Sequence, residues 1–145
     1  MSEWETKAAV QAALNAYSGA AARLDIEEFL THFVEDAEFL GVAELMGQQG
    51  PLKGPAAIGA FFGPLLANLE WLMQQNTTTD ITIGPDGTTA RTSTGLVEMA
   101  KPKGRDQIVL MARYDDELKL VDGCWKFTRR NLVPYRFTTV PDDAA

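Results

Sequence analysis

The sequence holds one cysteine, Cys124, and one histidine, His32. A lone thiol allows no intramolecular disulfide, so a reducing cytoplasm is the expected compartment. Cys124 follows a turn glycine and has no histidine at a recognisable spacing, which leaves a catalytic thiol without support. Positive charge is also scarce: 13 Lys and Arg against 20 Asp and Glu give a formal net charge of −7. Such a field repels phosphate backbones and anionic lipid, so neither nucleic acid nor a membrane surface is expected as partner, despite the local cluster Arg129, Arg130 and Arg136. Long apolar runs are missing as well. The longest uncharged stretch, residues 54–69, is broken by Gly59, Gly63 and Pro64 and falls short of the roughly 20 apolar residues that span a bilayer. The N-terminus, Met1-Ser2-Glu3-Trp4-Glu5, lacks the basic and apolar regions of a secretory signal. Asn76-Thr77-Thr78 has the pattern of a glycosylation acceptor, which is moot without such a signal. Neither a G-x-G-x-x-G fingerprint nor a P-loop occurs, and no cofactor is expected.

What remains is an ordinary globular composition, 46% apolar and 23% charged over 145 residues, enough for one core and too little for two. One domain is expected over residues 1–140, followed by a disordered acidic tail at 141–145. Ser2 and Glu5 form a capping box, and Val10, Ala13, Leu14, Tyr17, Ala21 and Leu24 then recur at helical spacing. Asp25 and Glu28 repeat the capping spacing before Ile26, Phe29, Leu30 and Phe33, which predicts a second short helix straight after the first. A short strand is expected over residues 37–42, then a loop to Lys53 that carries a brief strand. A third helix is expected from Gly54-Pro55, with Ile58, Phe61, Phe62, Leu65, Leu69 and Leu72 on one stripe and a kink at Pro64. Beyond Gln75 the pattern turns to strands. Thr77, Thr79, Ile81 and Ile83 alternate, Gly84-Pro85-Asp86-Gly87 turns, residues 88–99 are β-rich, Lys101-Pro102-Lys103-Gly104 turns again, and residues 107–121 and 124–137 flank the hairpin signal Asp122-Gly123. Helices followed by four antiparallel strands make an α+β pattern with the helices on one face of a sheet.

These residues also resemble a family. Tyr17 and, eight residues on, Asp25, then Phe33-Val34-Glu35-Asp36-Ala37-Glu38-Phe39 and Gly54-Pro55-Ala56-Ala57-Ile58 are similar to the N-terminal half of the nuclear transport factor 2-like, or SnoaL-like, superfamily. Tyr114-Asp115-Asp116-Glu117-Leu118 and Asp122-Gly123-Cys124-Trp125-Lys126-Phe127 resemble its paired last strands. The resemblance implies a strongly curved antiparallel sheet wrapped around three N-terminal helices, forming a cone with an apolar pocket. It also implies kinship with ketosteroid isomerases, scytalone dehydratase, limonene epoxide hydrolase, polyketide cyclases and a dehydrochlorinase, beside non-catalytic binders, so the fold does not decide the activity.

The candidate site residues follow from that resemblance, each beside a plainer reading. Asp25 matches the acid that dehydratase-like members pair with a histidine to abstract a proton, but it also suits a helix N-cap. Where those members carry the histidine, this chain has Gln74 or Gln75, which exchange hydrogen bonds and cannot relay a proton at neutral pH. His32 does not match that position and reads as a surface or partly packed residue. The isomerase's acids would fall near Gly41 and Gln107, so only Tyr17 fits that constellation, either as a pocket hydroxyl or as a core phenol. Strand alternation puts Trp125, Phe127, Arg129 and Asn131 on one face; if it faces the helices, Arg129 points inward and pairs with Asp25 or Glu98 or meets a ligand. Asp115-Asp116-Glu117 reads as a solvated strand edge rather than a metal site, because neighbours alternate between faces.

The expectation is therefore a small hydrophobic, cyclic, oxygenated molecule held in the pocket, with cofactor-free lyase or isomerase chemistry. Asp25, Tyr17, Gln74 and Arg129 are the candidate catalytic residues, and Phe61, Phe62, Trp71, Gln75 and Asn131 the candidate ligand contacts. The alternative is a non-catalytic ligand-binding or dimerisation module that has lost the histidine. The resemblance implies a homodimer in either case.

Overall fold

The computed structural model describes residues 1–142 of the chain, Thr79 without its side chain. Of the acidic tail expected at 141–145, residues 143–145 lie outside the described residues. Asp142 donates its N–H to Asp106 and sets its carboxylate 3.3 Å from the Lys101 amine.

Ser2 opens helix α1 (Glu3–Ala22) with both bonds of the capping box: its hydroxyl accepts from the Glu5 N–H, and the Glu5 carboxylate accepts from the Ser2 N–H at 2.7 Å. Val10, Leu14, Tyr17 and Ala21 of the stripe are buried, and Trp4 lies exposed. Leu24, at φ 57°, turns the chain, and Asp25 caps α2 (Ile26–Leu30) by accepting from the Glu28 N–H at 3.1 Å. This second helix ends before Phe33. That residue begins β1 (Phe33–Leu40) and pairs with Phe127, because a ladder bond to the sheet outweighs one more helical contact. Gly41, at φ 88°, then lets the backbone pass so close to Leu132 that a Cβ would collide with its carbonyl oxygen. The single-turn α3 (Val42–Leu45) starts there, within the stretch expected to be loop.

The brief strand is β2 (Leu52–Lys53), and α4 (Gly54–Ala67) follows with Pro55 in its first turn and Pro64 inside it. The expected stripe runs past the helix's true end. Leu69 and Leu72 belong to β3 (Leu69–Ile83), which pairs with β4 (Thr89–Pro102) from Leu69 against Pro102 onward. The helical spacing of those two leucines is thus overruled by the strand pairing. Turns lead to β5 (Gln107–Val121) and, through Asp122 and Gly123 with φ 50° and 80°, to β6 (Cys124–Val140).

The helices cover one face of a six-stranded sheet of order β2-β1-β6-β5-β4-β3. This is the expected curved-sheet α+β architecture, with one correction: the sheet is mixed, because β1 runs parallel to β6. Helix α1 packs on β3 and β6, and α4 on β1. Between helices and sheet lies an aromatic core of Tyr17, Phe29, Phe33, Phe39 and Phe127.

A bulge in β6 decides which side chains enter that core. Phe127 faces Leu118 and Arg129 faces Glu117, so Thr128 is an extra residue, its hydroxyl donating to the Glu117 carbonyl at 3.1 Å. The inward set is therefore Trp125, Phe127, Arg130 and Leu132, and the expectation that Arg129 and Asn131 point inward is corrected by one residue. Among the described residues no helix is long and apolar enough to cross a membrane.

Candidate active site

Between the helices and the inner sheet face lies a pocket of about 180 Å³. Its lining is mostly apolar: Ala21 and Phe29 from α1 and α2, Val42 and Leu45 from α3, Phe62 and Leu66 from α4, Leu69 and Leu72 from β3, Ile108 and Leu110 from β5, and Leu132 and Phe137 from β6. Four polar side chains break that surface, Tyr17, Gln74, Glu98 and Tyr114, and two more, Asn68 and Arg105, lie at its exposed edge. A more voluminous groove of about 540 Å³ along Thr82–Pro85, Thr89–Arg91 and Glu117–Lys119 gathers no comparable set of buried groups.

Gln74 and Glu98 are cross-strand partners on β3 and β4, and the Gln74 Nε2 donates to the Glu98 Oε1 at 2.7 Å. The Gln74 Oε1 is buried and has no partner, an acceptor that a ligand hydroxyl would satisfy. Burial raises the Glu98 carboxyl above the ordinary glutamate range, against smaller lowering effects of the Gln74 hydrogen bond and the Arg130 charge.

Tyr17 and Tyr114 are almost wholly buried and lie close enough to influence each other's ionisation. Burial lifts both phenols far above their usual range, so they remain neutral donors at any physiological pH. The Arg130 guanidinium lies 3.6 Å from the centre of the Tyr114 ring, 4.1 Å from that of Tyr17 and 4.5 Å from that of Phe127. Its counter-ion is Asp116 on β5, with Nε and Oδ1 3.4 Å apart but out of line for a hydrogen bond. The other Asp116 oxygen accepts from the Thr92 hydroxyl, and burial raises this carboxyl to about 6, against the pull of Arg130.

Of the residues expected from sequence, Tyr17, Gln74 and Phe62 line the pocket. Phe61 packs edge-on against Phe62, 5.1 Å between centroids, outside the lining. Trp71 and Gln75 lie exposed on the sheet's other side, as alternation from Leu72 and Gln74 requires. Arg129 and Asn131 sit with Asp115 and Glu117 in a surface depression, placed there by the Thr128 bulge. Asp25 is an exposed cap and does not line the pocket. His32 is half-buried against the Tyr17 ring, and burial lowers its pKa. The run Asp115-Asp116-Glu117 splits between faces, but it is not the solvated strand edge expected: β5 lies between β6 and β4, and Asp116 points inward and is buried.

Glu98, Tyr114, Asp116 and Arg130 were not singled out as site residues. Alternation from Leu96 and Ala100 puts Glu98 inward, and alternation from Leu110 and Ala112 does the same for Tyr114 and Asp116, so their signal was present. Arg130 depends on the bulge, which has no sequence signature.

Residues 2–131 match the SnoaL-like domain, and the chain belongs to that family. Similar solved structures include a protein named provisionally as an aromatic ring hydroxylase from Novosphingobium aromaticivorans (26% identity, TM-score 0.80, 97% of this chain and 96% of that one). A second, provisionally a scytalone dehydratase from the same organism, is 24% identical, with TM-score 0.79 over 96% of this chain and 90% of that one. A hexachlorocyclohexane dehydrochlorinase, LinA type 2, is 18% identical, with TM-score 0.78 over 94% and 90%. No curated protein matches the chain.

Proposed function

We propose that this SnoaL-like domain takes a small cyclic, oxygenated molecule into its pocket and moves a proton on it as a cofactor-free lyase or isomerase. The observation that carries the reading is the grouping of two neutral phenols, a carboxamide and a carboxyl in an otherwise apolar pocket. At about 180 Å³ the cavity is close to the ~150 Å³ in which benzene has been held, so one ring with small oxygen substituents is the matching size. The tyrosine hydroxyls would donate to a ligand oxygen and stabilise negative charge developing there, in a site from which apolar walls exclude water. The dehydratase and dehydrochlorinase names among the similar structures fit such eliminations. The exposed Cys124 is in keeping with a cytoplasmic setting.

Cyclohexanone is a suitable probe. Titrated into labelled protein, it is expected to shift amide resonances of Leu72, Leu110 and Leu132, and Tyr114→Phe is expected to weaken binding about 2- to 10-fold, the worth of one neutral hydrogen bond. Shifts confined to the outer sheet face, or none up to the ketone's solubility, would overturn the pocket reading. A second reading, a binding module without turnover, is favoured by the family resemblance, which implies a catalytic histidine where this chain has Gln74 or Gln75. It predicts the same binding and no proton exchange.

A further inference from the structure

We propose that Glu98, oriented by Gln74, is the group that takes the proton from carbon in this pocket. The inference rests on the reading above, and it assigns the base to β4 rather than to the α1–α2 junction.

Three observations carry it. The Glu98 carboxylate lines the cavity and is fixed through Oε1 by the Gln74 amide, which leaves Oε2 without a hydrogen bond among the described residues. The other candidate acids are elsewhere. Asp25 is an exposed cap engaged with the Glu28 N–H, and Asp116 is committed to Arg130 and Thr92 and does not line the pocket. Finally, hydroxyl donors lie within electrostatic reach of Glu98, as the step requires: Tyr17 from α1 and Tyr114 from β5. The other charged or titratable groups facing this region are Arg130 on β6, Asp116 on β5 and Arg105 at the pocket's edge. A carboxyl raised above the usual glutamate range by its apolar surroundings is a stronger base once ionised, as general catalysis near neutral pH asks.

For a cyclic ketone the step balances without any co-reactant. The C–H bond next to the carbonyl breaks and the proton goes to a Glu98 oxygen. The bond's electron pair becomes a C=C bond, and the carbonyl π pair moves to the oxygen held by the phenol hydroxyls. Reversal returns the proton to the same carbon, or to a conjugated one, which is an isomerisation.

The test follows proton-for-deuteron exchange next to the carbonyl of cyclohexanone in D2O by NMR, at ketone concentrations where binding is measured. Exchange above the buffer rate is expected, rising with pH through an apparent pKa above that of an ordinary glutamate. Glu98→Gln is expected to lower it by a factor of at least about 100. Exchange that survives in a folded Glu98→Gln protein overturns the proposal, as does loss in Asp25→Asn with retention in Glu98→Gln. Binding without exchange in the wild type overturns it too, while the pocket reading stands; absence of binding overturns both. Should Glu98→Gln fail to fold, carbon-13 titration of the wild-type glutamates decides. One carboxyl is expected to titrate above the rest and to respond to cyclohexanone, and a uniform, unresponsive set overturns the assignment.

Discussion

Arg130 and Asp116 are the most costly side chains in the core. Each loses its hydration on folding, and what replaces it is one ion contact at 3.4 Å, the faces of three aromatic rings and a long bond from Thr92. The pair's purpose is then to be sought in position: the guanidinium holds the planes of Tyr17 and Tyr114, and so the direction of their hydroxyls. Asp116 carries the desolvation cost as a raised pKa, about 6 when folded against 3.8 in the unfolded chain. Below about pH 4 both states hold the proton and above about pH 6 neither does; between them only the folded chain holds it, so stability falls as pH rises through that window. Chemical denaturation at pH 4 and pH 7 is expected to show wild type losing up to about 3 kcal/mol relative to Asp116→Asn, whose residue 116 does not titrate. A difference independent of pH would mean that Asp116 is ionised throughout the folded state.

Elements differ in how much of them local chemistry dictates. The capping box at Ser2, the N-cap bond at Asp25 and the turn at Asp122-Gly123 each satisfy or shape a few adjacent residues, so α1, α2 and the β5–β6 hairpin were legible along the chain. The parallel pairing of β1 with β6, the switch from helix to strand at Leu69 and the bulge at Thr128 depend on partners far away in sequence. The site inherits that division. Tyr17, on a clear helical stripe, and Gln74, on an alternating strand, were readable, whereas Arg129 and Arg130 exchange faces through one unpaired residue. The bulge gives a direct test. Removing Thr128 leaves Phe127, Arg129 and Arg130 in unbroken alternation with Arg130 still inward, so the deletion is expected to fold and to cost about 1 kcal/mol, near the worth of the Thr128 hydroxyl bond. Removing Lys126, which is paired opposite Lys119, is expected to cost several times more, because it forces either Trp125 or Phe127 off the inner face. Equal losses for the two deletions, measured by urea denaturation, would overturn the register.

At the scale of the molecule the sheet has two unlike faces. The concave one is closed by helices and holds the pocket; the other leaves Trp71 and Met73 of β3 and Met111 of β5 about 40% exposed, with Met73 paired to Met99 and Met111 to Val97 across the strands. Apolar side chains clustered on one open face mark an association surface more than scattered ones do. The isologous pairing of two such faces would bury them without obstructing the cavity on the other side. We therefore propose a homodimer through the outer sheet face, its formation opposed by the chain's net charge of −7 and hence tighter at higher salt. Light scattering across a dilution series is expected to give twice the chain mass at high concentration. Met111→Arg is expected to shift the equilibrium to monomer and to leave cyclohexanone binding intact, because residue 111 faces away from the pocket. A wild-type protein that stays monomeric at every concentration removes the dimer, and loss of ketone binding in the Met111→Arg monomer would show that the pocket depends on its pairing.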